Sequence, residues 1–302
     1  MPIFIIKNKK LIELKSKTFP TERELQELID KNLKEIFGLE FIRREFGGQG
    51  LLIDTIAYDP QTRSPVLIEY KKDTFQSIVD QGMAYLHWLL THKGDYLIEL
   101  QKKLGKREVD WSQPRVIFIA KRFNIHQIYA SGFKNAPFEL WRYDLCENVL
   151  LLEPIETPKS DISVTSVLKT KEIKQLTKQI KTYTLNDHLK KASDKIKLLF
   201  EKLRKMILSL DERIQEKPVT GYIAYKIRWF NFVNVSIFRD KIRISIRKTK
   251  LEKDKEKKFT KVPPFSKWGE KTPVWWINIS KEEDLDYVFE IIKESYMAAP
   301  DR

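Results

Sequence analysis

The sequence predicts a mixed α/β domain followed by a smaller α+β domain. Three observations lead there. Helical and strand periodicities alternate through the first half of the chain, the pattern of a sheet flanked by helices. Near Thr157 the composition changes: Lys, Thr and Ser replace aromatics as far as Asn186. Charge changes with it, because residues 1–157 hold 23 Lys+Arg and 22 Asp+Glu, whereas residues 158–302 hold 33 and 20. The expected division is therefore a first domain at 1–157, a linker at 158–186 and a basic second domain at 187–302.

The elements follow in order. Residues 3–7 and 11–15 read as short strands around Asn8-Lys9-Lys10. Thr21 opens a helix, with Glu24 at the spacing of a capping box. Leu25, Leu28, Ile29, Leu33 and Ile36 give it an apolar stripe, and Gly38 ends it. Residues 40–46 read as a strand and Gly47-Gly48-Gln49-Gly50 as a loop. Leu52–Ile56 and Val66–Lys71 read as adjacent strands, their turn bracketed by Asp59-Pro60 and Ser64-Pro65. Phe75–Leu90 is expected to be a helix. Val116–Ala120 is apolar throughout, hence a buried strand, and Phe138–Tyr143 alternates, hence a half-buried one. The linker is read as partly helical at 170–181, and a long amphipathic helix is expected from Asp187 to Glu216. Strands follow at 222–226, 232–237, 241–247 and 275–279, with a lysine-dense loop from Lys248 to Lys261. Ser280 is expected to cap a final helix that has Glu282 and Glu283 in its first turn.

Composition narrows the class. The chain has 302 residues, a net charge of +14 and 42% hydrophobic residues, enough for ordinary cores. No run of 18 apolar residues occurs, so no transmembrane helix and no membrane partner are expected. The N-terminus lacks the charge order of a signal peptide, and the single Cys146 cannot pair internally. Both point to the cytoplasm. Cys146 is read as a core or boundary residue, not a nucleophile. The chain lacks a P-loop motif, and its four histidines lack zinc spacing. The excess positive charge of the second half suggests a polyanion as its partner; a solvated lysine-rich surface is the competing reading.

The chemistry concentrates in Leu52-Ile53-Asp54-Thr55-Ile56 and Val66-Leu67-Ile68-Glu69-Tyr70-Lys71. Side chains two apart on a strand share a face, so Glu69 and Lys71 point the same way. An apolar strand has no structural use for a carboxylate and an ammonium near its middle, because buried charge is costly unless it is paired or binds a metal. Glu-x-Lys alone is common in this chain, recurring at Glu13, Glu172 and Glu256. Only the copy at Glu69 lies in an apolar strand one turn after a strand bearing Asp54. Glu22 lies on the first turn of the preceding helix, and Gln81 and Tyr85 share a face of the following one. The competing reading of Asp54, Glu69 and Lys71 is a structural ion pair.

Taken in order, Thr21–Gln26, Ile53-Asp54-Thr55-Ile56, Ile68-Glu69-Tyr70-Lys71 and Gln81-x-x-x-Tyr85 resemble the PD-(D/E)XK nuclease superfamily, within it the NucS-type and RecB-type nucleases. The resemblance covers about residues 20–120, and Ile53 stands where the name-giving proline would be. It implies a restriction-endonuclease-like mixed sheet flanked by helices. It selects Glu22 over Glu24 and Glu27, because Glu22 lies three residues before the first apolar helix position. It implies Mg²⁺ or Mn²⁺ on Asp54, Glu69 and the Tyr70 carbonyl, with Glu22 completing a second site, the two ions about 3.5–4 Å apart. Lys71 would then orient water or stabilise phosphate charge, and Gln81 and Tyr85 would support the site. The basic second half resembles an uncharacterised α+β domain that follows such nucleases.

The resulting expectation is a metal-dependent deoxyribonuclease acting in repair or defence, with DNA as partner and RNA and a homodimer left open. Lys241, Arg243, Arg247 and Lys248 are the expected nucleic-acid contacts, on one strand face and the loop after it. Two alternatives remain: a nucleic-acid-binding protein whose nuclease fold is inactive or conditional, and a protein-interaction module. Stacking aromatics on the basic strand would separate these two.

Overall fold

The structure is a computed structural model. It describes residues 2–48, 50–75, 77–133, 136–158, 160, 179–262 and 273–299. Gln49 of the expected Gly47–Gly50 loop, and residues 170–178 of the expected linker helix, lie outside them. The chain divides into two compact units: Met1–Asp59 with Ser64–Leu104 and Val109–Lys181, and Thr182–Arg302 with Pro60–Arg63 and Gly105–Glu108. Among the described residues no helix is long and apolar enough to cross a membrane.

The first unit opens with a two-stranded hairpin, β1 (Phe4–Lys7) and β2 (Lys10–Glu13). Then come β3 (Ser16–Lys17), α1 (Glu22–Lys31) and α2 (Leu33–Phe37). The expected first helix is thus two. The first is capped as its sequence predicts, with Thr21 accepting the Glu24 N–H at 3.2 Å. The second ends at Gly38, whose φ of +67° is the left-handed conformation that glycine adopts without cost. The sheet is built from β4 (Glu40–Gly48), β5 (Leu51–Asp59), β6 (Ser64–Lys71), β7 (Arg115–Ala120), β8 (Phe138–Cys146) and β9 (Val149–Pro154). Its order is β3-β8-β7-β6-β5-β4, with β9 also on β8. Pairing is antiparallel among β4, β5 and β6 and parallel among β6, β7 and β8, which makes the sheet mixed.

Helices cover both faces. The α1 and α2 side chains Leu25, Ile29, Leu33 and Phe37 pack on Ala57, Val66, Ile68 and Ile117. On the other face lie α3 (Ile78–Thr91), α4 (Lys93–Leu104) and α5 (Ile125–Ser131), packed on Ile56, Leu67, Val116 and Phe118. The α3 helix starts at Ile78, later than expected, because Phe75 is buried edge-on against Phe118 and Ser77 takes the cap. It lies so close to the sheet that a Cβ at Gly82 would come within 2.6 Å of Phe138. That close approach brings the polar residues of α3 to the strands. Cys146 is buried in β8.

The second unit is an antiparallel six-stranded sheet with helices. The expected long helix is instead α6 (Leu185–Leu189) and α7 (Asp194–Leu208). Ser193 breaks it by accepting the Ile196 N–H and starting a new helix. Its expected last turn becomes a strand, β10 (Gln215–Val219), which pairs with β11 (Tyr222–Ile227). After these come β12 (Phe230–Ile237), β13 (Ile242–Arg247), β14 (Thr260–Val262) and β15 (Val274–Ile279), in the order β10-β11-β12-β13-β15-β14. A 3-10 turn at Glu282–Asp284 precedes α8 (Leu285–Met297), so Asp284, not Ser280, stands at the helix start. Leu199, Phe200, Val288 and Ile292 from α7 and α8 pack on Val235, Ile242 and Ile244.

Candidate functional site

The site lies where the first sheet forks. β5 and β6 pair from Asp59↔Ser64 to Thr55↔Ile68 and no further. Beyond that point β5 stays with β4, through Ile53↔Phe46 and Leu52↔Gly47. β6 stays with β7, through Glu69↔Phe118 and Lys71↔Ala120. One step past Thr55↔Ile68 the register would set Asp54 opposite Glu69. Like charges facing each other across strands are destabilising, so the ladder opens where the two carboxylates meet. The Tyr70 N–H, left without its ladder partner, donates to Asp54 Oδ2 at 2.9 Å.

The expected residues converge on this fork. Glu69 is only 3% exposed. Its Oε1 accepts from Gln81 Nε2 at 2.7 Å and from Lys71 Nζ at 3.3 Å. Its Oε2 is 2.9 Å from the Tyr85 hydroxyl, which is also 3.0 Å from the Leu52 carbonyl. The second Gln81 amide proton reaches the Tyr85 oxygen at 2.8 Å. Gln81 and Tyr85 thus act as one clamp, as their four-residue spacing on α3 requires. Glu22, the first residue of α1, bonds Lys71 Nζ at 3.1 Å. The Lys71 ammonium also lies 5.9 Å from the centre of the Phe75 ring.

Electrostatics follow from this crowding. Burial, and then the charge of Asp54, push the Glu69 carboxyl up to about 7. Burial likewise raises Asp54, against the pull of the Tyr70 N–H and of Lys71. Burial opposes the charge on Lys71, yet Glu69 and Asp54 hold its ammonium above the usual lysine range. Tyr85 is pushed upward by burial and by Glu69, so its hydroxyl keeps its proton.

A polar layer behind the fork escaped sequence reasoning. Gln26 Nε2 donates to the Asp54 carbonyl at 2.7 Å and lies 3.1 Å from Thr55 Oγ1. The buried Asp30 accepts from Thr55 Oγ1 at 3.0 Å, from the Tyr70 hydroxyl at 2.8 Å and from Arg44 Nε at 2.5 Å. Burial raises the Asp30 carboxyl, while Arg44, Tyr70 and Thr55 draw it back. The signal was present: Glu22, Gln26 and Asp30 form a polar row at four-residue spacing on α1, beside its apolar stripe.

Among the described residues no three His, Cys, Asp or Glu side chains form a ready-made metal cage. The donor set still fits a hard divalent ion, because Asp54 and Glu69 are adjacent buried carboxylates, both raised by burial, and the charge of Asp54 raises Glu69 further. Mg²⁺ is held by one or two carboxylates, with water and substrate oxygens completing its shell. Glu22 belongs to the cluster through Lys71.

In the second unit, Arg243 lies on the sheet face opposite the one that packs on α7 and α8. Its guanidinium is 3.5 Å from the centre of the Trp276 ring and 5.2 Å from that of Phe238. Its Nε donates to neutral Asn278 at 3.1 Å. Burial lowers it, and among the described residues no carboxylate offsets that. Lys241 Nζ is 5.8 Å from the Phe238 ring centre. Arg247 ends the same strand as Arg243, and Lys248, the next residue, is paired with Glu294. Lys253 and Lys258 are also paired, with Glu290 and Glu256 at 2.8 Å each.

Residues 185–299 match the model of a domain of unknown function, DUF5655. An uncharacterized protein of Haemophilus influenzae is 36% identical over 302 residues, covering 98% of this chain and 99% of that one. The chain belongs to that protein's family. Two solved structures show a lesser likeness. One is an EndoMS–dsDNA2 complex, with a TM-score of 0.22, 19% identity, and 35% of this chain and 37% of that chain covered. The other is a repair endonuclease from Pyrococcus abyssi, with a TM-score of 0.21, 21% identity, and 36% and 41% covered.

Proposed function

We propose that this chain is a divalent-metal-dependent nuclease that hydrolyses DNA phosphodiester bonds. The observation that supports this most is the charge balance at the fork. Three carboxylates, Glu22, Asp54 and Glu69, face one ammonium, Lys71. A structural ion pair needs one of each. Once Glu69 is ionised, the deficit of two positive charges is what a single divalent ion supplies.

In this reading Asp54 and Glu69, with the Tyr70 carbonyl, would hold the ion, and Glu22 would extend the site. When bound, the ion would acidify water and neutralise charge developing on the phosphate. Lys71, carrying its proton, would donate to a non-bridging phosphate oxygen. Gln81 and Tyr85 hold Glu69 in place, and Gln26 holds the backbone of Asp54. The test is hydrolysis of duplex, branched, mismatched and single-stranded DNA by purified protein with Mg²⁺ or Mn²⁺ against EDTA. Cleavage of any of these that EDTA abolishes is expected. No cleavage of any of them points instead to the binding-only alternatives.

For the second unit we propose contact with the nucleic-acid backbone through Arg243, flanked by Lys241 and Arg247. Its guanidinium lies against the Trp276 and Phe238 rings and has no carboxylate partner among the described residues, so a phosphate would complete it. Lys248 is a weaker candidate because Glu294 already neutralises it. The affinity of the whole chain for DNA should fall as salt rises, by roughly 0.7–0.9 in log K per log salt for each phosphate neutralised. Arg243→Ala should lower that slope by about one contact. Salt-independent affinity would favour a protein partner.

A further inference from the structure

Past Lys71↔Ala120, the last ladder pair of β6 and β7, a recess of about 320 Å³ lies at the carboxyl ends of the two parallel strands. The carboxyl ends of parallel strands are where open α/β sheets take ligands. Asp73, Thr74, Lys121, Arg122, Phe123 and Asn124 line it. Its volume lies at the small end of ligand sites, about 300–1,000 Å³, so it admits one nucleotide and not a base pair.

Its floor is aromatic and continuous with the proposed site. Phe123 is partly exposed and stacks on Phe75, with ring centres 5.8 Å apart and planes 18° apart. Phe75 in turn lies under the Lys71 ammonium. The wall is fixed from behind, because buried Gln127 donates to the Phe75 carbonyl at 2.6 Å and completes a reciprocal cap with Asn124. The Arg122 N–H holds the Asp73 carbonyl at 3.1 Å across the mouth. Lys121 and Arg122 make no ion pair among the described residues. Among the described lining residues Asp73 is the one acid, and it lies near the Tyr143 hydroxyl, which burial and then Asp73 push up to about 12.

We infer that this recess holds the unpaired nucleotide next to the scissile phosphate, its base on Phe123 and its outer phosphate on Lys121 and Arg122. The inference rests on the nuclease reading and adds to it a substrate class: DNA with an unpaired nucleotide at the cut, as in a single strand, a flap or a frayed end. A base inside a duplex has both faces stacked and would have to leave its partner to enter.

The test uses the whole chain as Asp54→Asn, which prevents cutting, and single-stranded oligonucleotides carrying 2-aminopurine at successive positions. Stacking on Phe123 should quench the probe at one position beside the mapped cut. Phe123→Ala should remove that quenching, and in the cleaving chain it should raise KM roughly five- to a hundredfold, the effect of one lost base–aromatic stack. Phe123→Trp should retain the quenching, and Phe123→Leu, which keeps the apolar volume without the ring, should not. Lys121→Ala with Arg122→Ala should weaken binding and lower its salt slope. Cleavage by the wild type whose position and KM are unmoved by Phe123→Leu overturns the subsite and leaves the nuclease reading intact. Phe123-dependent quenching without cleavage by the wild type overturns the nuclease reading and supports the recess as a nucleotide site.

Discussion

Asp54→Asn and Glu69→Gln should each lower DNA cleavage by at least about a thousandfold while leaving DNA affinity within a few-fold of wild type. A bound ion and its activated water supply several kcal/mol to phosphodiester hydrolysis, and each 1.36 kcal/mol is about tenfold in rate. Affinity should survive because the proposed Arg243 contacts lie in the other unit. The pH dependence has a definite sign. Glu69 must lose its proton to hold a cation, and burial and Asp54 keep that proton on up to about pH 7. Activity should therefore rise through neutral pH, and added metal should move the midpoint lower. Without metal, the same shift acts on stability. A carboxyl whose folded pKa lies above its unfolded value of 4.5 contributes stability below that value and loses it as pH rises through about 7. At roughly 1.4 kcal/mol per pH unit, the loss attributable to Glu69 is about 3 kcal/mol. Urea melts at pH 5 and pH 8 in EDTA should show it in the wild type and not in Glu69→Gln. Equal pH dependence in both proteins would mean that Glu69 is not the group that titrates.

Much of this site could be read from the sequence because it depends on short spacings. Strand alternation sets Glu69 and Lys71 on one face, and helical spacing joins Gln81 to Tyr85. Both rules act over a few residues. The fork itself could not be read, since it depends on the register of β5 against β6, which sets Asp54 toward Glu69. The Asp30 layer was missed for a related reason. Its partners Arg44, Thr55 and Tyr70 come from three strands, and only the fold brings them to one carboxylate. In the second unit, β10 reads Gln-Glu-Lys-Pro-Val, with no strand signal of its own. It is a strand because β11 pairs with it, and Pro218 is tolerated because β10 lies at the sheet edge. The charge count of the second half was correct but silent on pairing. Lys248 meets Glu294 and Lys253 meets Glu290 across long stretches of chain. Helix periodicity also ran through Ser193, whose capping hydroxyl in fact divides α6 from α7. Ser193-Asp194 was a readable helix start, overridden by the apolar stripe around it.

Asp30→Ala should be among the most destabilising substitutions in the first unit, at about 2–4 kcal/mol. It would leave the Arg44 guanidinium without its 2.5 Å partner and the Thr55 and Tyr70 hydroxyls without an acceptor. Removing one member of a buried ion pair costs about 3–5 kcal/mol. The lower range is expected because Arg44 is 32% exposed and Glu27 lies 3.6 Å from its Nη1, ready to take part of the charge. The loss should reach the site as well. Thr55 and Tyr70 flank Asp54 and Glu69 in the chain, and Asp30 holds both from behind the sheet. Asp30→Ala should therefore lower kcat even at temperatures where the variant remains folded. Arg44→Met offers the cleaner comparison, since it removes the charge that Asp30→Ala strands. The double variant should be more stable than the sum of the two single losses predicts, by roughly 0.5–3 kcal/mol. Strictly additive losses in urea melts would show that Asp30 and Arg44 do not act as a pair, and the stability of this layer would then rest on the Thr55 and Tyr70 hydrogen bonds alone.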